Sequence, residues 1–107
     1  MREVDLTVFA AELANGAFVI DVREPDEYQA GRVRGAHPAP LSTLGAVVSA
    51  LPGDQRVYVI CASGNRSGRA AEHIEALGAD AVSVAGGTAA WARAGHFLDC
   101  GAAAEAA

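Results

Sequence analysis

Val57-Tyr58-Val59-Ile60 is a continuous apolar run, and Cys61-Ala62-Ser63-Gly64-Asn65-Arg66-Ser67 follows it without a break. A strand that is apolar on both faces must be covered on both faces. That is the condition of an interior strand in a parallel α/β sheet, not of a half-solvated antiparallel one. Two other short runs, Phe18 to Val22 and Val82 to Ala85, have the same β-rich character. Helical patterns alternate with them. Thr7 to Asn15 ends at Gly16, Ser42 to Leu51 stops at Pro52-Gly53, Ser67 to Leu77 ends at Gly78, and Thr88 to Ala94 ends at Gly95. This spacing predicts the α/β class: a single domain with a mostly parallel central sheet and helices on both faces.

The remaining segments are shorter. Arg23 to Tyr28 reads as a turn into one short helix, with Pro25 in its first turn and acidic residues near the positive end of its dipole. Gly31 to Pro40 reads as an irregular connection holding at most a tiny strand. The domain is expected over residues 1–100, with a fraying tail over 101–107. A length of 107 residues accommodates one such domain, and 51% hydrophobic residues is too many for a disordered chain. No apolar stretch approaches the ~18–20 residues of a membrane span.

Charge and residue usage exclude several function classes. Thirteen acidic against eight basic residues give a net charge of −5, so no nucleic-acid partner is expected. All the basic residues are arginine; without lysine there is neither a Schiff-base amine nor a P-loop lysine. Two cysteines and three histidines show no CxxC or HxxxH pair, so neither a metal nor another cofactor is expected. The N-terminal residues lack a secretory h-region, which makes a reducing cytoplasm the expected location.

Chemistry concentrates at Cys61. In open α/β sheets functional groups gather beyond the carboxyl ends of the strands, and Cys61 stands there. The small-residue loop after it can turn backbone N–H groups inward as an anion nest. The helix that follows adds its positive N-terminal end, and Arg66 adds a full charge. Each favours thiolate over thiol, and ~2.7 kcal/mol of differential stabilisation lowers a thiol from pKa ~8.5 to ~6.5. The competing reading of a lone Cys after a Val/Ile strand is a buried small hydrophobe.

Four separated stretches stand in order along the chain: Ile20-Asp21-Val22-Arg23-Glu24, then Tyr28-x-x-Gly31 through Gly35-Ala36-His37-Pro38-Ala39-Pro40-Leu41, then Cys61 through Ser67, and finally Gly86-Gly87-Thr88-Ala89-Ala90-Trp91. In these the chain resembles the rhodanese family of sulfurtransferases in its single-domain form. One departure is Arg32, where the family usually has His, so that residue's structural hydrogen bond is not carried over. The resemblance implies a ping-pong cycle. Cys61 takes a sulfane sulfur from a small anionic donor such as thiosulfate, or from a protein persulfide, and passes it to cyanide or a thiol. It further implies that the backbone of Ala62, Ser63, Gly64, Asn65, Arg66 and Ser67 holds the persulfide, with Arg66 drawing in an anionic donor.

Other readings stay open on the sequence. The resemblance extends to related cell-cycle phosphatases, whose loop carries one residue more than the six from Cys61 to Arg66, so the length favours sulfur transfer over a phosphatase or arsenate reductase. A non-catalytic docking module is the third reading. Asp21 and Arg23 either brace the Cys loop or form a local ion pair at a turn. Arg66 either meets the donor, points to solvent or pairs with Glu72. Trp91 reads as core, and Cys100 as a tail residue rather than a resolving thiol.

Overall fold

The computed structural model describes residues 2–49, 51 and 54–101. Its five strands are β1 (Glu3–Val4), β2 (Phe18–Asp21), β3 (His37–Pro38), β4 (Val57–Ile60) and β5 (Ala81–Val84). They form one sheet in the order β1-β5-β4-β2-β3, every neighbouring pair parallel. The helices are α1 (Leu6–Ala14), α2 (Pro25–Ala30), α3 (Leu44–Val48), α4 (Asn65–Ala76) and α5 (Gly87–Arg93). The α/β class and the parallel sheet of the sequence reading are those of the structure.

Alternation along the strands sorts the core into two halves. Val57, Val59 and Cys61 share one face with Ile20, Val22 and Ala81, and pack against Leu44 of α3 and Ala70, Ala71 and Ile74 of α4. Tyr58 and Ile60 share the other face with Val19, Val82 and Val84, and pack against Phe9 of α1 and Trp91 of α5. All four residues of β4 are buried, which is why its sequence is unbroken by polar residues. The Phe9 ring meets Trp91 edge-on at 5.2 Å, so Trp91 is a core residue as read from sequence.

The structure refines the sequence reading in several places. β1 was not anticipated; one of its two residues is exposed, and its partners, Ser83 and Val84, are remote in sequence. The helix expected over 42–51 is shorter: a 3-10 turn over Leu41–Thr43 follows Pro40 and leads into α3. The Pro52-Gly53 stop lies outside the described residues. The connection from Gly31 to Pro40 holds a two-residue strand, within what the sequence reading allowed, with His37 and Pro38 in register with Ile20 and Asp21. The helix after Cys61 begins at Asn65 and not at Ser67, because Gly64, at φ +107°, already turns the chain as its N-cap.

A further difference is at the C-terminus. Arg32 and Asp99 exchange backbone hydrogen bonds of 2.8 and 2.9 Å, and the Gly101 N–H donates to the Gln29 carbonyl at 2.9 Å. Gly101 is therefore tied to the domain, whereas the rest of the expected fraying tail, 102–107, lies outside the described residues. The side chain of Arg32 is 2% exposed. It donates to the carbonyls of Tyr28 and Gly101 at 3.2 and 2.8 Å, with its guanidinium 4.4 Å from the Tyr28 ring centre. Where the resemblance implies a His, this arginine joins the α2–β3 connection to the last described residues.

Candidate active site

Cys61 follows the last residue of the central strand and faces α4. The loop Cys61–Gly64 bends back on itself, so that the Gly64 N–H donates to Sγ at 3.0 Å. Ser67, in the first turns of α4, sets its hydroxyl 3.4 Å from Sγ. Burial pushes the Cys61 thiol up, but the Ser67 hydroxyl and the N–H groups of Ser67, Gly64 and Ser63 outweigh it and hold the thiol below its ordinary value. Cys61 is 1% exposed. The sulfur thus sits at the floor of its loop rather than at the surface, and its thiolate is stabilised by aimed dipoles rather than by solvent.

The backbone of the loop is gripped from behind by α5. Thr88 N–H donates to the Cys61 carbonyl at 2.8 Å and Ala89 N–H to the Ala62 carbonyl at 3.0 Å. Beside Ala62 opens a cleft of about 290 Å³, walled by Ala30, Gly31, Ala89, Ala92 and Leu98, with Arg23, Glu27 and Thr88 also at its lining. On the other side, Ser63, Gly64 and Asn65 border a cavity of about 300 Å³ with Arg69 and Glu72. The loop residues named from sequence are thus together. Ser63, Gly64 and Ser67 point donors at the sulfur, while Ala62 and Asn65 border the cavities on either side.

Arg66 is held by a partner other than those the sequence suggested. Its guanidinium makes a bidentate pair with Glu27 of α2, with Nη1 and Nη2 each 2.8 Å from a carboxylate oxygen. This pair holds the Glu27 carboxyl down to about 2 and raises Arg66 further above its ordinary range. Glu27 also accepts the Glu24 N–H at 3.0 Å, closing the capping box of α2. One carboxylate therefore ties the start of α2 to the start of α4.

Asp21, fully buried at the end of β2, pairs with Arg23, which is 7% exposed. Arg23 donates through Nε and Nη2 to both carboxylate oxygens and through Nη2 to the Gly31 carbonyl at 2.6 Å. Among the described residues, the side-chain hydrogen bonds of this pair do not reach residues 61–67. The charge of Asp21 raises the Arg66 guanidinium, and Arg23 and Gly31 line the same cleft as Ala62. Two residues of the site escaped the sequence reading. Glu27 could have been found as the third helical residue of a capping box with a free charge. Ser83 could have been found as the lone polar residue in the apolar run Ala81 to Val84.

Among the described residues no group of three or more His, Cys, Asp or Glu side chains could hold a metal ion, and no helix is long and apolar enough to cross a membrane. His37 stacks on Phe18 and His96 on Trp91.

The rhodanese-like domain family model matches residues 5–94. An uncharacterized protein of Bacillus subtilis, YqhL, is 38% identical over 76 residues; the match covers 70% of this chain and 60% of that protein's length. The crystal structure of a rhodanese-related protein from Thermoplasma volcanium superimposes with a TM-score of 0.83 at 33% identity, covering 92% of this chain and 98% of that one. A rhodanese-like domain protein from Staphylococcus aureus gives 0.84 at 29% identity, covering 94% and 98%.

Proposed function

The chain belongs to the rhodanese-like domain family, and on that premise we propose that it is a sulfurtransferase that carries sulfane sulfur as a persulfide on Cys61. The family holds sulfurtransferases, phosphatases and non-catalytic modules, so the choice among them rests on the loop. The observation that carries it is the closure of the loop on Sγ. Six residues, Cys61 to Arg66, bring the Gly64 N–H to 3.0 Å and the Ser67 hydroxyl to 3.4 Å from a sulfur that burial alone would keep protonated. A ring this tight suits one added sulfur atom better than a tetrahedral oxyanion.

In the first half-reaction the Cys61 thiolate attacks the outer sulfur of thiosulfate. The new S–S bond forms on Cys61, the old one breaks, and sulfite leaves with its electron pair. In the second, cyanide or an acceptor thiolate attacks that outer sulfur and the Cys61 thiolate is released. The inward N–H groups stabilise the anion at both stages without reorganising. Since Arg66 is already paired with Glu27, the donor's charge is met chiefly by backbone dipoles. A protein persulfide is the other donor this chemistry admits.

Intact mass spectrometry before and after incubation with thiosulfate tests the reading. The expected result is a gain of one sulfur atom, removed by cyanide and absent from Cys61→Ser. No gain from thiosulfate or from a persulfide donor on the folded protein, together with hydrolysis of an aryl phosphate, would overturn it in favour of a phosphatase.

A further inference from the structure

Behind the sulfur, on the side away from the cleft, lies a second hydroxyl. Ser83 is in the middle of β5, fully buried, on the sheet face that packs against α4. Its Oγ is 2.7 Å from the Oγ of Ser67, which is itself 3.4 Å from Sγ of Cys61 and 3.2 Å from the Gly64 carbonyl. A hydroxyl in an apolar strand costs free energy unless it is hydrogen-bonded, and here its partner is the side chain that contacts the nucleophile.

We propose that Ser83 is a positioning residue for the Cys61 thiolate, acting through Ser67 as the second member of a buried hydroxyl relay. Proton counting gives the reason. Ser67 has one hydroxyl hydrogen and three neighbours that could accept it: Sγ, the Gly64 carbonyl and Ser83. With Cys61 protonated, the thiol donates to Ser67 Oγ, and the Ser67 hydrogen is free to point to Gly64 or Ser83. With Cys61 ionised, Sγ has no hydrogen to give, so the Ser67 hydrogen is required at the sulfur. Two hydroxyl oxygens 2.7 Å apart need a hydrogen between them, and Ser83 must then supply it. Donation from Ser83 satisfies the Ser67 oxygen and polarises its O–H toward the sulfur. Without Ser83 the Ser67 hydroxyl loses the partner that turns it.

The charged groups around the thiol belong to other elements. Arg66, paired with Glu27, stands at the start of α4, and Asp21, paired with Arg23, at the end of β2. Arg69 and Glu72 border the outer side of the loop. β5 contributes no ionisable side chain, and the first residues of α5, Gly87 and Thr88, none either. Substitution at Ser83 therefore leaves every formal charge in place.

The experiment is the pH profile of Cys61 alkylation by iodoacetamide in a Cys100→Ser background, so that only one thiol reports. It reads the thiol directly, and so is separate from whether thiosulfate is a donor. Ser83→Ala is expected to move the midpoint alkaline by about half to one pH unit, which lowers the rate below the midpoint about three- to tenfold. Ser83→Thr and Ser83→Val share one shape and differ only in the hydroxyl; Thr is expected to keep the parent profile and Val to follow Ala. In Ser67→Ala, adding Ser83→Ala is expected to produce no further shift. Identical profiles for the Thr and Val variants, or a Ser83→Ala shift that persists in full without Ser67, would overturn the relay.

Discussion

Replacing Gly87 with alanine puts a methyl group where main chain already is. Built on the backbone, its Cβ lies 2.8 Å from both the carbonyl carbon and the carbonyl oxygen of Ala62, and nearer still to the carbonyl oxygen of Cys61. None of these atoms can rotate aside. The residue also sits at φ +61°, where a side chain costs about 1–2 kcal/mol. To relieve the contact, α5 must back away from the loop, loosening the Thr88 and Ala89 hydrogen bonds to Cys61 and Ala62, each worth about 0.5–1.5 kcal/mol. The whole is about 2–5 kcal/mol, a large part of the ~5–15 kcal/mol that stabilises a small domain. Gly16 supplies the control: its φ is +86°, but nothing lies within 4 Å of an added Cβ. Gly16→Ala should therefore cost only the backbone share, about 1–2 kcal/mol. Urea unfolding of the two variants separates conformational strain from collision, and the alkylation rate of Cys61 should fall in Gly87→Ala alone. If both variants lose the same stability and alkylate like the parent, then α5 does not support the loop in the way described.

Three further outcomes follow from the same structure. Asp21→Ala leaves the Arg23 guanidinium buried with only the Gly31 carbonyl, and should cost about 3–5 kcal/mol in urea unfolding; a loss below about 1 kcal/mol would mean that the pair is solvated. Glu27→Gln keeps an acceptor for the Glu24 N–H but removes the charge opposite Arg66. Because the Glu27 carboxyl is held down to about 2, the pair stabilises the fold above the ordinary carboxylate value of 4.5 and loses that contribution as pH falls toward 2. The variant should lose under about 1 kcal/mol at neutral pH, since both groups are partly exposed, and its unfolding midpoint should vary less across that acid range. Cys100→Ser should leave sulfur loading and turnover nearly unchanged, and a large loss in a thiosulfate–cyanide assay would assign that exposed cysteine a part in the cycle.

What was legible in the sequence was whatever is encoded locally. The β4–loop–α4 unit could be read because burial on both faces leaves an uninterrupted apolar run, and because a Gly-containing turn directly after it forces the chain back over the strand end. The start of α4 was misplaced by two residues for a local reason. Ser67 has the composition of an N-cap, but its hydroxyl is occupied with Sγ, Gly64 and Ser83, while a glycine does the turning. Contacts between distant segments left no periodic trace. Glu27 meets Arg66 across 39 positions, and Arg32 reaches Gly101 across 69. A charged residue whose partner is that far away looks like a solvated one when read along the chain.

The position of β1 bears on how the chain is made. Residue 3 pairs with residue 83 and residue 4 with residue 84, and Arg2 reaches forward to Glu75 and Asp80. During synthesis the first strand therefore leaves the ribosome long before its partner exists, and waits while β2, β3 and β4 emerge. Until β5 arrives, β4 lacks its neighbour on one side and Ser83 has not yet come under Cys61. The surroundings of Cys61 are thus completed late, after nearly the whole domain has been translated. A nascent chain halted before residue 83 would lack both the Ser83 hydroxyl beside Ser67 and the α5 N–H groups that hold the Cys61 and Ala62 carbonyls.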